Sequence, residues 1–117
     1  MDGGIMSTLK VNSIEPAVSG SETFWVPKVW IHYTQVTPAI RASGNVSSLL
    51  DSSTGVFEVN FSNALIDVNY AALEGTNAAQ NRLGTISEAT SSKFRHVCEN
   101  DSGTNIDNDV VCFGVIR

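Results

Sequence analysis

The segment Gly55-Val56-Phe57-Glu58-Val59-Asn60-Phe61-Ser62 constrains this chain more than any other. Side chains of an extended strand alternate between two faces, so Phe57, Val59 and Phe61 share one side and Glu58, Asn60 and Ser62 the other. The polar stretch from Ser62 to Asp67 is long enough to turn the chain, and Asp67-Val68-Asn69-Tyr70-Ala71-Ala72-Leu73 reads as a strand returning beside the first. Such a two-stranded ribbon is only marginally stable in water. Other segments must therefore cover Phe57, Val59 and Phe61.

Those segments are short and β-like. Leu9 to Ser13 alternates apolar and polar residues until Pro16, and residues 16 to 23 have the composition of a linker. Val29-Trp30-Ile31-His32-Tyr33-Thr34 is the most apolar strand, with Val29, Ile31 and Tyr33 on one face and Trp30 and His32 on the other. A strand with bulky groups on both faces is either central in its sheet or pressed against another subunit. On that ground Trp30, His32 and Tyr33 are the candidate subunit-interface residues, and His32 reads as a core or interface histidine.

Ala39 to Ser43 and Asn45 to Leu50 form two more strands, with a bulge or bend expected at Gly44, and Asp51 to Gly55 is a turn. A polar loop follows from Glu74 to Asn81, after which β character resumes at Arg82 to Ser87 and Lys93 to Cys98. Phe94, His96 and Cys98 share a face. The loop from Glu99 to Asp109 then leads to the apolar strand Val110 to Ile116. No stretch makes a convincing helix: Ala71 to Leu83 comes nearest, and Gly75 and the asparagines weaken it. Short strands at regular spacing between turn signals predict an all-β fold, a small antiparallel β-sandwich. Its expected bounds are 24–117, after an N-terminal anchor or linker segment at 1–23.

Composition narrows the function. A net charge of −5 with scattered Lys and Arg excludes a nucleic-acid footprint. Charged residues make up 16%, below the usual quarter, which suits surfaces covered by partner subunits. No apolar run approaches the roughly 18 to 20 residues of a membrane span, and no secretory leader is evident, so synthesis in the cytoplasm and no membrane insertion are expected. Two cysteines do not make a disulfide framework, and reduced thiols are expected. A hairpin folded about Asn105 would nevertheless set Cys98 opposite Cys112, within reach of a bridge.

Nothing in the sequence carries catalysis. No serine sits in a nucleophile elbow, and no phosphate loop, dinucleotide fingerprint or zinc spacing occurs. The expectation is no enzyme, no cofactor and no metal. The acidic loop Glu99 to Asp109 offers the hard oxygens that Ca²⁺ takes, but its spacing is not that of an EF-hand, and a solvated hairpin tip is the better reading.

The order of several motifs resembles phage tail-fibre proteins, especially those of cyanobacterial and related marine phages. The resemblance is carried by Val29-Trp30, Ala39-Ile40-Arg41-Ala42-Ser43, Asn45-Val46-Ser47-Ser48-Leu49, Gly55 to Phe61, Asp67-Val68-Asn69-Tyr70 and the closing apolar strand. The opening Met6-Ser7-Thr8-Leu9-Lys10-Val11-Asn12-Ser13-Ile14 is also similar to the start of such proteins. The resemblance implies a virion structural protein, a homotrimer with an all-β C-terminal domain, attached to other virion proteins through its N-terminal segment. Host adhesion would then use polar loops, with Asn77, Gln80, Asn81, Asp101 and Asn105 as candidate contacts for a bacterial surface glycan or protein. A head decoration, cement or connector protein with a purely architectural role is the alternative.

Overall fold

A computed structural model describes residues 27–76 and 83–117, which fold as two four-stranded antiparallel sheets. The strands are β1 (Val29–Thr34), β2 (Ala39–Gly44), β3 (Val46–Ser53), β4 (Val56–Phe61), β5 (Ala71–Thr76), β6 (Leu83–Ala89), β7 (Lys93–Glu99) and β8 (Val111–Ile116). One sheet has the order β2-β1-β8-β5 and the other β3-β4-β7-β6. The all-β sandwich expected from the strand pattern is what forms, and no helix occurs among the described residues. The segment 1–23, its proposed strand at Leu9 to Ser13, and residues 24–26 lie outside the described residues.

The core is built by the two central strands of each sheet. From β1 and β8 come Val29, Ile31, Tyr33, Val111, Phe113 and Val115; from β4 and β7 come Phe57, Val59, Phe61, Phe94 and Cys98. Each set repeats every second residue, which is the period the sequence shows. Full burial of a large apolar side chain is worth about 1.5 to 3 kcal/mol. The aromatics meet at angles rather than stacked: Phe94 and Phe113 at 4.9 Å between ring centroids, Tyr33 and Phe57 at 5.7 Å, Phe61 and Phe94 at 5.9 Å. Such tilted pairs add to simple area burial.

Two sequence expectations about pairing are corrected, and a third, at Gly44, is narrowed. First, β4 and the segment after it do not form a ribbon. Residues 62–70 cross to the other sheet, where β5 pairs with β8, from Ala71 against Ile116 to Thr76 against Val111. Asp67 shapes that crossing: one carboxylate oxygen accepts the Asn69 N–H at 2.8 Å, and both oxygens take the Arg117 guanidinium. Tyr70 then packs its ring against Phe61 and aims its hydroxyl at the carbonyls of Thr90 and Lys93.

Second, of the bulge or bend expected at Gly44 it is the bend that forms, at Asn45, as a corner between the two sheets. Asn45 there has φ of 57°, a left-handed conformation that asparagine tolerates better than most residues. Its side chain donates to the carbonyls of Lys28 and Asn63, and accepts the Asn63 N–H at 2.8 Å. Third, β7 and β8 lie in different sheets, so Cys98 and Cys112 are not opposed. Cys98 points into the core, Cys112 sits on the outside of β8, and both are free thiols.

Candidate functional site

Every strand ends at one of two poles. Thr34, the β3–β4 turn, Thr76, Leu83, Glu99 and Val111 lie at one; Lys28, Asn45, Ser62, Ala89 and Arg117 lie at the other. β1 begins at the second pole, where the Lys28 N–H donates to the Val115 carbonyl. The acidic loop lies at the first. Asn77, Gln80 and Asn81 fall outside the described residues, but Thr76 and Leu83, which flank them, both end at the loop pole.

The acidic loop is knotted by its own polar groups. Asn100 accepts the N–H groups of Ser102 and Thr104 on its side-chain oxygen, and Glu99 bridges to Asn105. Asp107 accepts the Gly55 N–H at 2.7 Å. Gly55 has φ of 69° and lies so close to the Cys98 and Ile106 carbonyls that a Cβ would strike them. Asp109 holds Arg41 at 3.0 Å and the Thr34 hydroxyl at 3.1 Å. Asp107 and Asp109 thus tie the loop to the sandwich rather than forming a common oxygen cage. Asp101 and Asn105 stay exposed at the tip.

The outer faces of the two sheets differ in kind. Cross-strand partners share a face, so register gives the rows directly. On β2-β1-β8-β5 one row runs Gly44, Trp30, Gly114, Leu73, and the next Ala42, His32, Cys112, Gly75; Ile116 and Ala71 follow. None of these positions carries a formally charged side chain; the charges on this face are Arg41, bulged out of β2 beside His32, and Asp109, which pairs with it at the loop-pole margin. Trp30 is 44% exposed and Leu73 59%. The indole lies over Gly44, where an added Cβ would collide with it. Gly114 and Gly75, by contrast, have open space above them.

On β3-β4-β7-β6 the corresponding rows are Ser48, Asn60, Lys93 and Leu50, Glu58, Arg95, Glu88. Glu58 takes Arg95 at 2.8 Å and Lys93 at 3.2 Å, and Arg95 reaches Glu88 at 3.6 Å. The hydrogen bonds from Arg95 and Lys93 hold the Glu58 carboxyl below its ordinary value. This is a face made for water.

Of the interface candidates read from the sequence, Trp30 and His32 lie on the outer face of β2-β1-β8-β5, with His32 3.5 Å from an Arg41 nitrogen. Tyr33 does not join them. It turns inward, is 0% exposed and is spent on its own core, because it occupies the opposite parity of β1.

Tyr33 belongs instead to a buried polar group that the sequence only half discloses. Gln35 donates to the Tyr33 oxygen at 3.4 Å, the Tyr33 hydroxyl meets His96 Nδ1 at 3.0 Å, and His96 Nε2 meets Glu74 Oε1 at 3.0 Å. The Cys98 sulfur lies 3.6 Å from His96 Nε2. With the tyrosine donating to Nδ1, the histidine carries its proton on Nε2 and donates it to Glu74. Burial works against a charged His96, but the Cys98 sulfur and the Glu74 carboxylate outweigh it and its pKa is raised. Burial pushes the Tyr33 hydroxyl up as well. His96 and Cys98 were readable as sharing a face. The sequence places Glu74 in a loop; in the structure β5 runs to Thr76, and the parity Glu74 shares with Ala72 and Thr76 brings its carboxylate to His96 while the residue keeps an exposed edge.

The chain matches no protein-family model, no curated protein and no solved structure.

Proposed function

We propose that this chain is a phage virion structural protein of the tail-fibre type, a β-sandwich module that works as a homotrimer. The observation that carries the reading is the middle of the outer face of β2-β1-β8-β5, where Trp30 and Leu73 stand beside Gly114, Gly75 and Ala42 with no charge among them, the Arg41–Asp109 pair lying at its margin. The occupant it suits is a sister copy. Chains of net charge −5 repel one another, and this face lets them meet with their charges turned away. Its glycines admit close approach, and a tryptophan at the centre of an interface is the residue type that most often anchors one.

The resemblance in motif order supplies the setting, and the two poles fit it. Residues 1–23 lead in at one pole as the attachment to other virion proteins, while Asp101 and Asn105 stand at the other, where a host glycan or protein would be met. The shared pole of the flanking residues Thr76 and Leu83 keeps Asn77, Gln80 and Asn81 in the same proposal. Under this reading the protein is located in the virion, and its work is binding and not catalysis.

The test uses particles carrying Asp101→Ala with Asn105→Ala. These exposed positions are preferred to deleting residues 100–108, since Asp107 and Asn108 support the fold. Host adsorption should fall at least tenfold with particle assembly unchanged. Normal adsorption by particles that retain both changes would remove adhesion at this tip and favour the architectural alternative.

A further inference from the structure

The buried group at the β5–β7 crossing has a composition that hydrogen bonding does not require. Glu74 from one sheet faces His96 and Cys98 from the other, and the carboxylate oxygen, imidazole nitrogen and thiol sulfur all lie within 4.8 Å of one another. The geometry points to a binding site for a divalent transition metal of the Zn²⁺ class, held by Glu74, His96 and Cys98 as a clamp between the two sheets.

Distances and chemistry agree on this. Zinc is bound by sulfur at about 2.3 Å and by nitrogen and carboxylate oxygen at about 2.0 to 2.2 Å in a tetrahedron. Those lengths set ligand-to-ligand edges of about 3.4 Å for nitrogen to oxygen and about 3.6 Å for nitrogen to sulfur. The chain offers 3.0 Å from His96 Nε2 to Glu74 Oε1 and 3.6 Å from Nε2 to the Cys98 sulfur. The sulfur is also 3.7 Å from Nδ1, so it lies beside the ring, and a turn of the Cys98 side chain toward Glu74 is what completes the set. The mixture of imidazole, thiolate and carboxylate selects zinc-like ions over Ca²⁺ or Mg²⁺, which take oxygen alone.

Charge and support point the same way. One thiolate and one carboxylate neutralise a dication, which matters where His96 and Cys98 are both 0% exposed. The second ring nitrogen, Nδ1, already has the Tyr33 hydroxyl at 3.0 Å, the outer partner that a metal-bound histidine needs to fix its ring. Glu74 is partly exposed, so the site opens toward solvent at the β5 edge, and Gly84 leaves room there that any Cβ would take from the carboxylate. The sequence hides this set because its members stand at 74, 96 and 98, with no zinc-like spacing.

Binding has a proton balance. The neutral histidine moves its proton from Nε2 to Nδ1, where it is donated to the Tyr33 oxygen, and the Cys98 thiol releases one proton to water. Because binding releases a proton, affinity should fall as the solution is made more acidic.

The experiment titrates the chelator-treated full chain with Zn²⁺ and with Co²⁺. One ion per chain is expected, with a raised melting temperature for the zinc form and a thiolate-to-cobalt charge-transfer band for the cobalt form. Cys112→Ser, a change on the outside of β8, should keep the band; Cys98→Ser should lose it, and Glu74→Gln should weaken binding 10- to 100-fold. Should Cys98→Ser fail to fold, the band in Cys112→Ser still decides, because only two cysteines exist. Absence of stoichiometric uptake, a cobalt spectrum without the thiolate band, or loss of the band in Cys112→Ser would overturn the assignment.

Discussion

At the centre of one outer face, Glu58 lies between Lys93 and Arg95, with Glu88 beyond; at the centre of the other stand Trp30, His32, Cys112 and Gly114. Both sheets give their inner faces to one shared apolar core, so the fold alone does not ask for this difference. Water explains the first face: its charges are paired yet remain hydrated, and it alternates apolar-in with polar-out as a solvated sheet does. It does not explain the second, where half-exposed aromatic and aliphatic groups sit among glycines. The contrast teaches that a sandwich can be complete inside and still unfinished outside. The unfinished side is where association would be rewarded.

The comparison breaks most decisively at Trp30. A cation placed there should weaken self-association by at least 100-fold, about 3 kcal/mol, because a charge at an interface centre must be desolvated. The matching control is Leu50→Arg on the charged face, where Leu50 is 52% exposed. Sedimentation of Trp30→Arg as a folded single chain, with Leu50→Arg unchanged, is the expected pair of results.

Gly114→Val sharpens it further. Among the described residues a Cβ at Gly114 meets nothing within 4 Å, so the folded chain has room to start a side chain there between Trp30 and Leu73, whereas a sister copy packed on this face would meet it directly. Association should drop about tenfold or more. Melting of the isolated chain should hold or rise by up to about 1 kcal/mol, since valine favours strands. Loss of folding by the isolated chain would mean that Gly114 serves its own sheet.

How much of this was legible in the residues depends on how local the cause is. The faces of β1, β4, β7 and β8 follow from alternation at Val29 to Tyr33, Phe57 to Phe61, Phe94 to Cys98 and Val111 to Val115, and the sequence shows them plainly. Which strand lies beside which is not local. Residues 67–73 looked like the return of a hairpin because a polar break precedes them, yet the Arg117 pair with Asp67 and the seat of Tyr70 on Phe61 carry that segment to the other sheet. Cys98 and Cys112 seemed opposed for the same reason. The uncharged middle of the outer face of β2-β1-β8-β5 was half visible at Trp30 and His32. Its glycine floor depends on the register of β5 and β8, which no single segment encodes.

Smaller effects belong to the charged face. Glu58→Gln should lower the melting temperature at neutral pH without altering association. The sign in pH follows from the depressed carboxyl: its stabilising contribution is complete above the ordinary value of 4.5 and is lost as pH falls through the lower folded value. The variant should therefore flatten the acid limb of a plot of melting temperature against pH. Asp67→Asn should do the same at lower pH. Its carboxyl is held at about 2 by Arg117, so its contribution is complete above 3.8 and disappears on approach to pH 2.

The central claim is that the face bearing Trp30 is covered by sister chains. Sedimentation equilibrium of the full chain at micromolar concentration tests it most directly. The expected mass is three times the 12.5 kDa of one chain, with Trp30 fluorescence, read in a Trp25→Phe chain because the sequence holds two tryptophans, shielded from a soluble quencher. A stable 12.5 kDa species with that indole open to the quencher would contradict it.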